Sequence, residues 1–246
     1  MAPYFAIPNL VGIESMLDNV QDELEEKLRR HSTIDVTLWM RLFSLESLYR
    51  IAFSQKLGYL SQGERHYSYR RLAKELYRWK FDASNRDLMA YFTDLSEKDP
   101  DTLDRKGILG TTVTIIFAGV EMTGTTLNFL LYYLQKHPSV LARLREEIDT
   151  AIHDGNLTYP PKWNEVAKLD YLQAVLKETL RLHSTARMAG LKPKNRLPAG
   201  TNAGCYRYTA HRCEHVYGAD ADRFRPERWI DASEKQLIAM ERAGQA

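Results

Sequence analysis

The stretch Leu176–His183, with the sequence LKETLRLH, decides the fold together with Phe224–Trp229, FRPERW. Glu178 and Arg181 are three residues apart, so on a helix they share one face, where a guanidinium can pair with a carboxylate through two parallel hydrogen bonds. Taken alone, such a pair is usually a surface contact that contributes little to stability. Its leucine neighbours and the later Arg228 set this pair apart from an ordinary surface contact.

A second motif, FAGVEMTG at Phe117–Gly124, lies within a mostly apolar segment over residues 103–135. The segment is apolar on nearly all sides, which predicts a helix buried through the centre of a domain. The alternative interpretation is a glycine-notched core helix with one acidic residue. The apolar residues after the motif and the helix stop at His137-Pro138 favour the functional interpretation.

These ordered motifs resemble those of the cytochrome P450 family, of the fungal microsomal type. The resemblance covers most of the chain in interrupted blocks and is strongest over residues 115–229. It implies a mainly α, partial P450 fold with a long central helix, the helices that follow it, the Glu-x-x-Arg helix and remnants of a small β region. By resemblance, Glu178, Arg181 and Arg228 form a triad that locks the core beneath the haem.

The resemblance also assigns roles within the second motif. Ala118 and Gly119 form a notch that lets the central helix approach the ligand plane. Glu121 and Thr123 are the candidate catalytic residues, because a carboxylate and a nearby hydroxyl can relay protons. Met122, however, stands directly after Glu121, where the family has a hydroxyl. Proton delivery by this helix is therefore expected to be impaired.

Helical periodicity dominates the remainder of the chain. The pattern predicts an amphipathic helix over 12–30, a second helix capped by Asp35 and another beginning at Pro138. Leucines at 172, 176 and 180 mark the helix that carries Glu178, and a short strand is predicted at 203–208. A basic, tyrosine-rich stretch over 62–85 has no nucleic-acid-binding motif, so a solvated helix is favoured there.

The composition argues against nucleic acid as a partner and against insertion into a membrane. The 246 residues include 34 basic and 32 acidic side chains, so no strong field draws the chain to nucleic acid. The first residues lack a signal-peptide pattern, and no run approaches the about 18 apolar residues of a spanning helix. We therefore expect no transmembrane anchor and a cytoplasmic chain as written, whereas the resemblance places intact relatives at the endoplasmic reticulum membrane.

Several parts of the family pattern are missing. The sequence contains no Phe-x-x-Gly-x-Arg-x-Cys-x-Gly loop to supply the thiolate that ligates haem iron. Too few residues separate Gly58 from Asp87 for the two lid helices, and the sheet after Arg181 is shortened. We expect residues 1–246 to form a single partial P450 domain that lacks the N-terminal anchor, the lid and the cysteine loop.

Neither cysteine fits as a replacement iron ligand. Cys205 and Cys213 both lack the glycines of a tight loop that exposes sulfur to a metal, so ordinary thiols are expected. His211, Cys213 and His215 are spaced two residues apart, which suits neither a strand nor a helical metal site. This spacing predicts no metal site, and haem b, the cofactor of the family, is expected not to be bound.

The resemblance implies a haem-dependent monooxygenase that oxidises a small hydrophobic, secondary-metabolite-like substrate with electrons from NADPH–cytochrome P450 reductase. Without the cysteine and the usual threonine, we expect this chain to be catalytically incompetent. Two alternatives stay open: a fragment of a longer active P450, and a non-enzymatic relic or interaction protein. A helical core without its lid and haem would expose apolar surface, which predicts poor solubility.

Overall fold

The computed structural model describes residues 14–63, 87–99, 101, 104–185, 188–190 and 204–245. The elements are α1 (Glu14–Arg30), α2 (Val36–Phe53), α3 (Tyr59–Gln62), α4 (Leu88–Lys98), α5 (Arg105–Lys136), α6 (Pro138–His153), α7 (Trp163–Val166), α8 (Asp170–Leu182), β1 (Met188–Gly190), β2 (Gly204–Tyr206), α9 (Arg207–Ala210), α10 (Glu214–Tyr217), a 3₁₀ helix (Pro226–Trp229) and α11 (Glu234–Gln245). The predicted mainly α architecture is confirmed. Most of the basic, tyrosine-rich stretch lies outside the described residues.

The chain forms two compact units, Met1–Thr125 and Thr126–Ala246. The helix α5 contributes residues to both units, because it runs from Arg105 to Lys136. The first unit also contains α1–α4, and the second contains the remaining elements.

Helix α2 is the central element of the first unit and packs against α1, α3 and α4. As predicted, Asp35 caps it, since its Oδ1 accepts a hydrogen bond from the Leu38 amide at 3.1 Å. The buried carboxylate of Glu46 accepts bonds from the amides of Leu57 at 2.9 Å and Gly58 at 3.0 Å. Gly58 has φ of +82°, a conformation that glycine adopts without strain. Glu46 therefore holds the turn that leads into α3.

Helix α5 is not buried on all sides, so that prediction was wrong. Ile108, Thr112, Ile116 and Val120 form a buried stripe at a spacing of four residues. On the other side of the helix, Met122 is 44% exposed. The apolar composition was correctly read, but in the described residues only one face of the first part of α5 is packed.

Within the described part of the chain, one helix, Lys106–Lys136, is long and apolar enough to cross a membrane by length and composition. No apolar run of this length was expected from the sequence, whereas the expected absence of a transmembrane anchor stays a prediction. The core helix of a soluble protein can satisfy the same test.

The second unit is built around α6 and α8. Pro138 lies in the first turn of α6, as predicted, where a missing amide hydrogen has no cost. The main core contains seven buried side chains: Leu134, Val140, Leu144, Tyr171, Val175, Leu182 and Phe224. A second cluster joins Met240 of α11 to Tyr217 and Ala221. The strand predicted over 203–208 is present as β2, Gly204–Tyr206, which pairs antiparallel with β1, whereas Arg207 and Tyr208 belong to α9.

Candidate functional site

The start of α8 is fixed by a carboxylate from α6. The two oxygens of Glu147 accept hydrogen bonds from the amides of Tyr171 at 2.7 Å and Leu172 at 2.9 Å. These amides belong to the first turn of α8, where no intrahelical acceptor exists. Glu147 therefore acts as a cap supplied by a neighbouring helix.

The buried face of α8 is not its leucine stripe. Leu180 is 47% exposed, whereas Glu178 and Arg181 are almost completely buried. A carboxylate can occupy such a position only if its charge is paired and its oxygens accept hydrogen bonds. The arrangement around Glu178 meets both conditions.

Glu178 pairs with Arg181 in a two-pronged geometry. The Nε and Nη2 atoms of Arg181 each donate to a different oxygen of Glu178 at 2.8 Å. Arg228 approaches from the 3₁₀ helix, with 3.5 Å between its Nε and Glu178 Oε1. The structure thus brings together the three residues that the sequence analysis grouped as a triad.

Every N–H group of Arg181 has an acceptor. Besides Glu178, its Nη1 donates to the carbonyls of His211 and Ala221, each at 2.6 Å, and its Nη2 donates to the carbonyl of Arg223 at 3.2 Å. A guanidinium has five N–H donors, so its hydrogen-bonding capacity is saturated here. Arg181 therefore ties α8 to the chain between residues 211 and 223.

Arg228 is saturated in the same way. Its Nη1 donates to the Tyr217 carbonyl and, at 2.7 Å, to Asp220 Oδ1. Its Nη2 donates to the carbonyls of Asp220 at 2.9 Å and Arg223 at 3.4 Å. The hydrogen bond from Arg228 lowers the pKa of Asp220 below its ordinary value. Two carboxylates thus balance two guanidiniums.

Two further donors to Glu178 were not anticipated from the sequence. The indole Nε1 of Trp229 donates to Oε2 at 2.9 Å, and the amide of Arg225 donates to Oε1 at 3.0 Å. The adjacency of Trp229 to Arg228 was the only available signal. Asp220 carried no signal, because it lies in a loop of ordinary composition.

An aromatic ring covers one side of this network. The guanidinium of Arg181 lies 4.9 Å from the ring centre of Tyr217, within the range of a cation–π contact. Burial raises the pKa of Tyr217 to about 12, and its hydroxyl donates to the Met240 carbonyl at 3.2 Å. Each polar group of the network is thus committed to a partner, so the network is suited to cross-linking chain segments rather than to proton transfer.

Glu227 belongs to a separate contact beside the triad. It accepts hydrogen bonds from the Tyr171 hydroxyl at 2.6 Å and from Arg143 at 3.2 Å. Burial alone would raise the pKa of Glu227, but these donors outweigh burial and its pKa is lowered. Neighbouring residues of the 3₁₀ helix therefore bind both α6 and α8.

The proposed notch residues of α5 lie on different sides of the helix. Ala118 is exposed. Gly119 faces α2, because a Cβ added there would lie 2.5 Å from Leu48 Cδ1. The glycine therefore allows two helices to pack closely, a role that the sequence analysis did not consider.

The structure does not bring Glu121 and Thr123 together. Glu121 Oε2 lies 3.2 Å from Nη2 of Arg41 in α2. Thr123 is exposed, and residues two apart on a helix point in very different directions. Met122 is four residues after Ala118, so these two side chains share the exposed face.

Cys213 lies at the N-cap position of α10 and is partly buried. Its carbonyl accepts hydrogen bonds from the amides of Val216 and Tyr217, both at 2.9 Å. Nearby His211 is buried, its Nδ1 donates to the Arg181 carbonyl at 2.9 Å, and burial lowers its pKa. Among the described residues, no group of three His, Cys, Asp or Glu side chains is arranged to hold a metal.

Comparison with known proteins gives a consistent result. A family model described as Cytochrome P450 matches residues 64–241. Cytochrome P450 monooxygenase easK of Aspergillus fumigatus is 53% identical over 282 residues, with 99% of this chain and 83% of that protein covered. A cytochrome P450 monooxygenase of Aspergillus terreus is 24% identical over 306 residues, with 97% of this chain but only 62% of that protein covered.

A third relative is a fusion protein. The bifunctional cytochrome P450/NADPH–P450 reductase of Gibberella moniliformis is 37% identical over 147 residues, which cover 55% of this chain and 13% of that protein. The alignments with the two Aspergillus proteins, over 282 and 306 residues, exceed the 246 residues of this chain. Both relatives therefore contain internal residues that have no counterpart here.

Proposed function

This chain belongs to the cytochrome P450 family, and from that premise we propose that it is the core of a protein evolved for haem-dependent oxidation of a small hydrophobic molecule. The observation that carries the proposal is the buried network of Glu178, Arg181 and Arg228. All five N–H groups of each arginine have acceptors, so the network fixes α8 and the 3₁₀ helix with little freedom.

We further propose that the two compact units are parts of one shortened P450 domain. The match to the family model continues across Thr125, where the units divide. The two Aspergillus relatives contain internal residues that this chain lacks, which supports the proposal that this chain is shortened. We assign part of those residues to the lid helices. The family relationship implies that a reductase donates the electrons. It also implies that intact relatives lie at the endoplasmic reticulum membrane.

The described residues fit a haem group only in part. When bound, haem supplies the oxidising chemistry, and the protein binds and orients the reactants. The exposed Ala118 offers a small side chain beside which a flat group can lie. Cys213 does not fit an axial thiolate, because it directly precedes α10 and no glycine stands among residues 211–215 to form the tight loop that exposes the sulfur to a metal.

We propose that Met122 prevents efficient proton delivery by this chain. A thioether has no proton to donate, so Met122 cannot replace a hydroxyl in a relay. Thr123 follows one residue later, which rotates it by about 100° around the helix from Met122. The position of Met122 on the face of Ala118 therefore favours a second candidate function, that of a non-enzymatic relic or interaction protein.

An absorbance spectrum of the protein expressed with added haem, then reduced and exposed to carbon monoxide, tests the proposal. We expect no red-shifted Soret band of a thiolate-ligated carbonyl complex. If that band formed and disappeared in Cys213→Ala or Cys205→Ala, one of these thiols would be the ligand, and the expectation that this chain lacks a haem thiolate would be wrong. Retained haem without that band would support binding without oxygenation, and no retained haem would favour the relic.

A further inference from the structure

Glu121 lies at the border between two faces of α5. It is three residues after Ala118, which is exposed, and three residues before Gly124, which is buried. Residues three apart on a helix are neighbours, so the carboxylate of Glu121 can reach towards either side. The direction that the Glu121 side chain takes therefore depends on which neighbouring group binds its carboxylate.

Gly124 brings α5 unusually close to the backbone of α2. A Cβ added at Gly124 would lie 3.1 Å from Arg41 Cα and 3.3 Å from the Met40 carbonyl oxygen. This close approach favours glycine, because both atoms belong to the α2 backbone and cannot rotate away from a Cβ. It places the Arg41 side chain beside the turn of α5 that carries Glu121.

Arg41 pairs with Glu121 at the edge of the contact between α2 and α5. Its Nη2 lies 3.2 Å from Glu121 Oε2, and the two side chains are 39% and 44% exposed. The Nε of Arg41 is buried. One end of the guanidinium is thus enclosed by protein while the other meets the carboxylate.

From this geometry we infer that Arg41 is a positioning residue for Glu121, holding its carboxylate at the crossing of α2 and α5 and away from the face of Ala118 and Met122. The relevance to proton delivery rests on the proposed function. The contact itself does not, because it needs no haem. Arg41 would thereby set how much of the time this acid can reach a group bound beside Ala118.

Carbodiimide labelling of carboxylates, quantified by peptide mass spectrometry, tests the inference on the full chain. We expect Arg41→Gln to increase the labelling rate of Glu121 by about two- to fivefold, as befits a half-exposed ion pair. Arg41→Lys, which keeps the charge, should restore most of the protection. Arg145→Gln, which removes an exposed arginine from α6, should leave Glu121 unchanged.

Equal labelling of Glu121 in Arg41→Gln and the unmodified protein, with unchanged circular dichroism, would overturn the inference. So would new labelling of the buried Glu46, because that would indicate general loosening. If Arg41→Gln fails to fold, the unmodified protein can be labelled at rising salt, which screens exposed pairs. Labelling of Glu121 should then rise more than that of Glu146. If the labelling of Glu121 did not change with salt, the role of Arg41 would be rejected, independently of the haem spectrum.

Discussion

Glu178 has no solvent contact, so its charge is stable only because of the donors around it. Arg181 contributes two of these donors, and Trp229 and the Arg225 amide contribute one each. A buried ion pair is not itself strong evidence for high stability, since desolvation opposes the attraction. Removing one partner of the pair is nevertheless strongly destabilising, because it leaves an uncompensated charge in the interior.

Glu178→Gln should therefore destabilise the protein severely, by about 3–5 kcal/mol, because the buried Arg181 loses the carboxylate that it pairs with. Equilibrium urea unfolding followed by circular dichroism measures this loss. Glu146→Gln is a suitable control, since Glu146 is exposed and belongs to the same unit. Similar stability losses in both variants would show that the network does not stabilise the fold.

Asp220 should make stability depend on acidic pH. Because the hydrogen bond from Arg228 lowers its pKa in the folded protein, folding favours the ionised form. The contribution is present above the unfolded pKa of about 3.9 and is lost as the pH falls through the folded pKa. Asp220→Asn should thus lose less stability than the unmodified protein between pH 7 and acidic pH, measured by urea unfolding. Asp149→Asn, at an exposed position of α6, should retain the original pH dependence.

At the scale of elements, the crossing of α2 and α5 depends on glycine. Gly124→Ala should destabilise the first unit by about 1–3 kcal/mol, because the added methyl group meets backbone atoms of α2. Gly110→Ala is the control in the same helix, since a Cβ there has no atom within 4 Å. That variant should gain about 0.5–1 kcal/mol from the higher helix propensity of alanine. The melting temperatures of the two variants test this prediction. It would be wrong if Gly124→Ala melted at a higher temperature than Gly110→Ala.

The sequence predicted these elements better than their contacts. Periodicity and caps located α1, α2, α5, α6 and α8, and the three-residue spacing paired Glu178 with Arg181. Arg41 and Glu121 are 80 residues apart, so no local pattern could pair them. The different directions of Glu121 and Thr123 follow from 100° per residue and could have been foreseen. The close approach of Leu48 to Gly119 needed the packed structure.

At the scale of the whole molecule, apolar side chains remain exposed along α5. Phe117, Met122 and Leu131 are 37%, 44% and 36% exposed. Such residues are ordinary when scattered, but a long helix that carries several of them is prone to association. Burial of this surface between molecules would release water and lower the free energy.

We therefore expect the isolated chain to self-associate in a concentration-dependent way, which sedimentation velocity can measure. Phe117→Ser with Leu131→Ser should reduce the association, because both changes remove exposed apolar area from α5. Ile152→Ser, at an exposed site in α6, is a control that should have a smaller effect. A monomer that melts cooperatively at high concentration would contradict this expectation.

The acceptors of Arg181 and Arg228 have a consequence for how this protein can change its sequence. Five residues, His211, Tyr217, Asp220, Ala221 and Arg223, offer main-chain carbonyls to the two guanidiniums. Every amino acid carries a carbonyl, so substitutions at Ala221 or Arg223 need not break these bonds. Lysine at 181 or 228 would lose the planar fork that spans them. An exposed position that contributes only its carbonyl, such as Arg223, is therefore freer to vary than the two arginines, whereas Asp220 is also held by its side-chain bond to Arg228.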